Sequence, residues 1–292
     1  MDEDTKVNDS PSSRASSDVF VGAGQRSIVP ERRIGLIGLG SIGRDVVGTL
    51  RTEGFPAEII ALTRRRMSNA DIWRWVGRTD ELVAARPDLV IEAAGHGAVA
   101  EHVAPLLRAG IPVVVVSVGA LADDALRLEV TRAAQIGKTS VIFPSGAIGA
   151  LDYIRTVSHS ANLSIRYCSR KPVAAWQDEL IARGFSPDKV DREIVLFEGS
   201  AREAALSFPQ NLNVAMSLAL AGPGIESVQV RVVADPRAAG NTHEIDIASA
   251  AGHAVLVFNN MPSADNPKTS ALTALSIVHA VREHFVMLDA AR

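Results

Sequence analysis

The sequence predicts an α/β protein in which a doubly wound parallel sheet precedes a second α/β domain with a mixed, largely antiparallel sheet. Up to residue 150, short apolar strands alternate with amphipathic helical patterns, which is typical of a parallel sheet covered by helices. Beyond residue 150, alternating strands follow one another with few helices between them. A chain of 292 residues that is 47 % hydrophobic is long and apolar enough for two such domains.

These patterns divide the chain into four segments. We expect a flexible leader over residues 1–31, a first domain over 32–150, a second domain over 151–265, and a C-terminal helix over 266–292 that packs back toward the ligand cleft. The leader is rich in serine and aspartate and has no apolar periodicity. It lacks the apolar core of a secretory signal, and its early acids, Asp2, Glu3 and Asp4, are unlike an acid-poor transit peptide.

Composition excludes several classes of partner. The net charge of −3 offers no basic field for nucleic acid. No apolar run reaches the ~20 residues that span a bilayer, so we expect no membrane partner. The single cysteine, Cys168, excludes an internal disulfide and fits a reducing cytoplasm. We therefore expect a cytoplasmic protein whose ligands are small molecules.

A glycine motif follows the first predicted strand. Residues 34–37 form an apolar run suited to a buried parallel strand, and the glycines come just as a helical pattern begins. Gly38 would allow a tight turn, Gly40 the approach of a pyrophosphate, and Gly43 close packing of the helix. The context predicts a Rossmann-type domain that binds NAD or NADP, against the alternative of a merely tight turn. The predicted cofactor contacts here are Gly38, Gly40, Ser41, Ile42 and Gly43.

The end of the second predicted strand, residues 57–63, bears on which coenzyme binds. In NAD-selective domains an acid about 20 residues past the last glycine accepts hydrogen bonds from the ribose, and here that position falls on Thr63. The next residues are Arg64, Arg65 and Arg66, and a guanidinium can pair with a 2′-phosphate. Arg64 is thus a predicted cofactor contact that permits or favours NADP. The alternative is a solvated basic turn.

Three more strands complete the predicted parallel sheet, over residues 86–95, 111–118 and 139–144, with a helix over 121–136 before the last of them. Ligands bind at the carboxyl ends of such strands. The loops at Gly38, Thr63, Ala94, Val118 and Ser145 should therefore converge on one crevice, and Ala94 is a further predicted cofactor contact.

The second half is predicted to hold five strands, over residues 162–169, 194–198, 227–234, 242–248 and 254–259. The last two are close enough in sequence to form a hairpin across residues 250–252. A helix over 267–285 is predicted to end the chain, with Asn266 as its N-cap and Pro267 in its first turn.

Five stretches together resemble the L-aspartate dehydrogenase family: GLIGLGSIG, FPSGAIGALD, FEGSAREAALSFPQNLNVA, ADPRAAGNTHEI and NPKTSALTALS. They occur in order over nearly all of the chain after the leader. The resemblance implies a homodimer in which a hydride passes from Cα of L-aspartate to NAD(P)⁺. The product would be iminosuccinate, which either hydrolyses to oxaloacetate and ammonia or is used on the route to NAD.

The resemblance also implies roles for three residues. His243 in the NTHE motif would be the active-site residue, and Ala147 and Asn213 would contact the cofactor. On the residues alone, His243 lies on the same side of its predicted strand as Ile245 and Ile247, so its ring is expected on a covered face. The alternative to a catalytic role is that this buried histidine serves only the structure. Asn213 could equally be an N-terminal helix cap.

An aspartate substrate brings two carboxylates into a largely apolar cleft, so at least one cation must meet them. Lys268 in the last predicted helix is the first candidate, while Arg170 and Lys171 are weaker ones. His96 and His102 lack acidic or cysteine partners at ligand spacing, and His279 and His284 lie at a helix end that favours a cation, so we expect no metal. Competing functions are a dihydrodipicolinate-reductase-like or homoserine-dehydrogenase-like oxidoreductase, or a non-catalytic NAD(P)-binding sensor.

Overall fold

The first sheet is parallel throughout and has six strands. The computed structural model of the protein describes residues 32–65, 73–208, 212–263 and 269–291. Within these ranges the sheet has the strand order β3-β2-β1-β4-β5-β6. Its strands are β1 Arg32–Ile37, β2 Ala57–Leu62, β3 Arg74–Val76, β4 Leu89–Glu92, β5 Val113–Val115 and β6 Val141–Ile142. The strand order reverses next to β1, which is where a doubly wound sheet opens a ligand crevice.

The second sheet has five strands in the order β11-β10-β7-β9-β8. These are β7 Ser164–Lys171, β8 Ile194–Ser200, β9 Val228–Ala234, β10 Asn241–Ser249 and β11 Gly252–Asn260. Only β7 and β9 pair in parallel, and the other neighbours are antiparallel. Ser249 pairs with Gly252, so the predicted hairpin forms. The two sheets confirm the predicted fold class.

Helices cover both faces of the parallel sheet. The α-helices of the described residues are α1 Ser41–Thr52, α2 Thr79–Ala84, α3 His96–Ala98, α4 Ala104–Arg108, α5 Asp124–Gly137, α6 Leu151–Val157, α7 Gln177–Ala182, α8 Ala201–Ser207, α9 Asn213–Ala221 and α10 Ala271–Ala290. One face of the sheet packs against α1 and α10. The other face shares a continuous apolar core with the inner face of the second sheet.

Several predicted boundaries were wrong. Strand β3 was not predicted, because three residues carry too little periodicity to be recognised. The apolar run over 111–118 is not one strand: β5 ends at Val115, and the chain turns into a 3₁₀ helix over Val118–Ala122, so α5 begins only at Asp124.

The start of the last helix was also predicted wrongly. Helix α10 begins at Ala271, and the Ser270 hydroxyl caps it by accepting a hydrogen bond from the Leu272 N–H at 3.1 Å. Ser270 is held extended by a bridge to Pro262, so the helix cannot begin earlier. Asn266 and Pro267, the predicted cap residues, lie outside the described residues.

By length and composition, α10 is apolar enough to cross a membrane, the one such helix in the described part of the chain. Its apolar residues Ile277, Val281 and Phe285 are buried against the parallel sheet and α1. This packing accounts for the hydropathy of the helix, as in the core helix of a globular domain.

Candidate active site

A cleft of about 110 Å³ opens where the carboxyl ends of the parallel strands meet the second sheet. Its wall combines residues that are far apart in sequence. From the first half come Ile42 of α1 and the loop at Ala147; from the second half come Lys171, Asn213 and His243. The N-terminal turn of α10 closes the cleft with Ser270 and Thr273.

The glycine motif forms a strand-turn-helix with close packing at two of its three glycines. Gly38 has a φ of 92°, and a Cβ there would lie 2.7 Å from the Ala94 Cβ. A Cβ at Gly43 would clash with the Gly38 carbonyl oxygen. Gly40 differs, because a Cβ there would meet no atom within 4 Å in the described part of the chain. Its backbone, which caps α1, is therefore open to a group from outside the protein.

A second cavity, of about 560 Å³, is lined by Gly38 of the glycine turn and by Thr63, Arg64 and Ala94. Thr63 directly follows β2, and its assignment to the position of the missing acid stays a prediction. Its hydroxyl accepts a hydrogen bond from Trp75 Nε1 at 3.1 Å and donates to the Arg65 carbonyl at 2.7 Å. Arg64 and Arg65 are exposed, and neither forms an ion pair with another described residue. Arg66 is outside the described ranges.

Glu92 fixes two of the loops around these cavities, a role that the sequence analysis missed. Its carboxylate is fully buried at the end of β4. It accepts hydrogen bonds from the Ala94 and Gly95 N–H groups and from both the N–H and the hydroxyl of Ser117, at 2.8 to 3.0 Å. The sequence does show an acid at the end of an otherwise apolar strand, which could have indicated a buried role for Glu92. Its partner Ser117 lies 25 residues away, so the pairing itself is not visible in a local pattern.

The loop that carries Ala147 is tied to two later elements. The Gly146 N–H donates to Ser276 Oγ of α10 at 3.0 Å. Asn260 Nδ2 at the end of β11 donates to the Ala147 carbonyl at 2.6 Å. Ala147 is buried, and its position at the cleft is therefore set by the second half of the chain.

Asn213 is the first residue of α9, and the suggestion that its side chain caps this helix was wrong. Leu212 occupies the N-cap position without a side-chain hydrogen bond. Asn213 Oδ1 instead accepts a hydrogen bond from the Gly119 N–H at 2.9 Å. The amide thus joins α9 to the 3₁₀ turn that follows β5, at the edge of the cleft.

His243 lies on the covered face of β10, as its parity predicted, and is only 4 % exposed. Its Nδ1 lies 2.8 Å from the Tyr167 hydroxyl, and the two rings are nearly parallel. Burial, and secondly the positive charge of Lys171, lower the pKa of His243 to about 4. Burial raises the pKa of the Tyr167 hydroxyl. At neutral pH the cleft therefore contains a neutral imidazole beside a protonated phenol.

The three basic candidates for the substrate carboxylates differ in position. Arg170 points to the opposite face and forms ion pairs with Glu193, Asp235 and Glu244. Lys171, ranked as a weaker candidate from sequence, lines the cleft with an exposure of only 4 %. Lys268 lies outside the described residues.

Comparison with known proteins shows which family has this combination of domains. The family of aspartate dehydrogenase C-terminal domains matches residues 152–284, and the family of homoserine dehydrogenase NAD-binding domains matches residues 38–144. The chain is 47 % identical over 260 residues to L-aspartate dehydrogenase 2 of Bordetella bronchiseptica, a match that covers 86 % of this chain and 96 % of that protein. The chain belongs to the L-aspartate dehydrogenase family.

Other members agree with this placement. L-aspartate dehydrogenase of Pseudomonas aeruginosa is 38 % identical over 262 residues, covering 85 % of this chain and 96 % of that protein. The crystal structure of aspartate dehydrogenase from Thermotoga maritima matches with a TM-score of 0.71 at 28 % identity, over 87 % of this chain and 96 % of that one. The family resemblance predicted from the five motifs and the NAD-binding character of the first half are thus confirmed, while the roles of single residues stay predictions.

In the described ranges, no group of three or more His, Cys, Asp or Glu side chains could hold a metal ion. His102, one of the histidines considered from sequence, is hydrogen-bonded through Nδ1 to the Thr79 hydroxyl at 2.8 Å.

Proposed function

We propose that the protein is an L-aspartate dehydrogenase that oxidises the Cα–N bond of L-aspartate with NAD⁺ or NADP⁺. The product is iminosuccinate, which hydrolyses to oxaloacetate and ammonia. The observation that carries this proposal is the meeting of His243, Asn213 and Ala147 at one cleft beside the glycine turn, in a chain 47 % identical to a named L-aspartate dehydrogenase.

The residues around the glycine turn fit a dinucleotide. No described residue fills the space beside Gly40, and Ser41 Oγ has no hydrogen-bond partner among the same residues. We assign the dinucleotide to Gly38, Arg64 and Ala94 at the larger cavity, to Ile42, Ala147 and Asn213 at the cleft, and to the remaining residues of the glycine motif, Gly40, Ser41 and Gly43. When bound, the nicotinamide accepts the hydride from the substrate. Arg64, at the end of β2, would pair with a 2′-phosphate and so permit NADP.

His243 supplies the acid-base chemistry in this proposal. Because its imidazole is neutral at neutral pH, it can accept a proton from the substrate ammonium or from the water that attacks the imine carbon. The Tyr167 hydroxyl occupies Nδ1, which leaves Nε2 for the substrate. Lys268 remains a proposed contact for a substrate carboxylate on sequence grounds alone.

We also propose that the enzyme is a cytoplasmic homodimer and that its iminosuccinate supplies NAD biosynthesis. The outer face of the second sheet supports the dimer, because Val255 and Val257 of β11 are 62 % and 54 % exposed there. Sedimentation equilibrium of the wild type and of Val257→Lys tests the proposed dimer. A dimeric wild type and a monomeric Val257→Lys variant would agree with it, and a monomeric wild type would contradict it.

Initial rates of NAD⁺ and NADP⁺ reduction with L-aspartate test the activity, alongside homoserine oxidation and dihydrodipicolinate reduction as rival reactions. Of these three reactions, we expect the protein to catalyse only the oxidation of aspartate. Turnover with a rival substrate would favour the corresponding oxidoreductase, and tight NAD(P)H binding without turnover on any of them would favour a non-catalytic sensor.

A further inference from the structure

Asn241 is a buried amide at the start of strand β10. The residue is 4 % exposed and lines the cleft. Alternate residues of β10 face inward, so Asn241 lies on the same face as His243, two residues along the strand. That spacing corresponds to ~7 Å along the main chain. A small ligand group that contacts the imidazole therefore also lies close to the amide.

The neighbouring strand links Asn241 to the loop that carries Ala147. Asn241 pairs with Asn260 of β11 in the antiparallel register. Side chains that are directly opposed in this way lie on one face, with their Cβ atoms about 5 Å apart. Asn260 Nδ2 donates a hydrogen bond to the Ala147 carbonyl at 2.6 Å. Asn241 is thus next to His243 along its own strand and next to the anchor of the Ala147 loop across the strands.

This position indicates which part of the substrate Asn241 meets. In the proposed function, Ala147 contacts the cofactor and His243 exchanges a proton with the substrate nitrogen, so the reacting Cα–N bond must lie within reach of both residues. Asn241 is adjacent to both and therefore faces the reacting end of the substrate. The amino group at that end is a hydrogen-bond donor, and an amide oxygen is an acceptor.

We propose that Asn241 Oδ1 accepts a hydrogen bond from the α-amino group of the substrate and fixes the orientation of that group beside His243. This inference rests on the proposed function, since it names the residue that positions the reacting nitrogen. The ammonium gives one proton to His243 Nε2, and the lone pair left on nitrogen forms the C=N bond as the hydride leaves Cα for the bound NAD(P)⁺. The lone pair must lie parallel to the C–H bond that breaks. A hydrogen bond from a remaining N–H to Asn241 holds it there by preventing free rotation about the Cα–N bond.

Binding of ligands to the enzyme with bound NADH tests this contact apart from turnover, because NADH cannot accept a hydride. Succinate has both carboxylates of L-aspartate but lacks the amino group. The ratio of the two dissociation constants, measured by calorimetric titration, therefore gives the preference for the amino group. We expect Asn241→Ala to lower this preference ~10- to 100-fold, the usual loss for a hydrogen bond to a charged group. The Kd of succinate and the Kd of NADH should stay at wild-type values.

Asn241→Asp distinguishes an acceptor from a donor, because it keeps an oxygen at the same place and removes the amide N–H groups. Its added charge repels the carboxylates of both ligands alike, so both should bind more weakly while the preference for L-aspartate persists. If Asn241 instead donates to a carboxylate, Asn241→Ala weakens L-aspartate and succinate equally, which would overturn the inference. Loss of the preference in Asn241→Asp would also contradict it.

Asn259 provides the matched control. It is an exposed asparagine in the same strand pair, and its Oδ1 accepts a hydrogen bond from the Thr242 hydroxyl at 2.9 Å. Asn259→Ala should change neither the Kd of L-aspartate nor that of succinate. A wild type that binds the two ligands equally well would overturn the inference. A wild type that prefers L-aspartate but does not oxidise it would contradict only the proposed function.

Discussion

Tyr167 Oη lies 2.8 Å from His243 Nδ1, across the adjacent strands β7 and β10. Both side chains are almost completely buried. Because burial also raises the pKa of Tyr167, the phenol keeps its proton, and the hydrogen bond holds the imidazole ring in one orientation. The bond uses Nδ1 whichever group donates, so Nε2 is the nitrogen left for chemistry in the cleft.

Removing this hydrogen bond should slow the reaction without weakening cofactor binding. We expect Tyr167→Phe to lower kcat ~10-fold, the equivalent of one hydrogen bond, while the Kd of NADH is unchanged. The other tyrosine of the chain, Tyr153, provides the control, since Tyr153→Phe should leave kcat at its wild-type value. Equal kcat in Tyr167→Phe and wild type would mean that the phenol does not position His243.

Replacing the imidazole itself should have a larger effect. His243→Ala is expected to lower kcat ~10²- to 10⁴-fold, the range for loss of a general base, with NADH affinity retained. Steady-state kinetics and fluorescence titration of NADH measure the two quantities. His159→Ala changes an exposed histidine and should be silent. Normal turnover by His243→Ala would favour the non-catalytic sensor.

The buried imidazole should also make stability depend on pH. The folded-state pKa of His243 is about 4, below its ordinary value of 6.5, so the unfolded chain takes up a proton first as the pH falls. Stability is therefore complete above pH 6.5 and is lost progressively toward pH 4. We expect this residue to account for a loss of about 2 kcal/mol between pH 7 and pH 5.

Urea unfolding at pH 7 and pH 5 measures this loss. His243→Gln should remove that part of the pH dependence, whereas His279→Gln, at an exposed histidine of α10, should retain it. If the free energy of unfolding changes equally with pH in the wild type and in His243→Gln, groups other than His243 cause that change.

The sequence predicts those parts of the fold that local patterns determine. Gly38 and Gly43 pack as the motif requires, and the parity of β10 correctly buries His243. The start of α10 was missed because Asn266 and Ser270 are equally good caps locally. The choice between them depends on the bridge to Pro262, which no local pattern contains.

The candidate site was less predictable, because neighbouring residues point in opposite directions. Arg170 and Lys171 are adjacent basic residues, yet one forms ion pairs on the outer face and the other lines the cleft. The parity of Ile165 and Tyr167 could have distinguished them, since Lys171 shares it. The contact between Asn213 and Gly119 spans 94 residues, and only the folded chain brings the two together.

Coenzyme preference is expected to respond to Arg64. Arg64→Ala should lower kcat/KM for NADP⁺ relative to NAD⁺ ~10-fold, because the guanidinium would otherwise pair with the 2′-phosphate. Initial rates with both coenzymes at saturating aspartate give the ratio. Arg132→Ala, at an exposed residue of α5, should not move it. A constant ratio in Arg64→Ala would make the arginine turn a solvated surface feature.

Alanine substitutions at the first two glycines of the motif should distinguish an effect on cofactor binding from an effect on stability. Gly40→Ala places a methyl group where no atom of a described residue lies within 4 Å, at a φ of −69° that alanine adopts freely, so Tm should not change. Gly38→Ala places it 2.7 Å from the Ala94 Cβ at a φ of 92°, so Tm should fall. If a pyrophosphate approaches the Gly40 backbone, Gly40→Ala weakens NADH binding in a protein that is otherwise fully stable. Normal NADH affinity in Gly40→Ala would place the pyrophosphate elsewhere, because the added methyl group lies where the pyrophosphate is expected to approach the backbone.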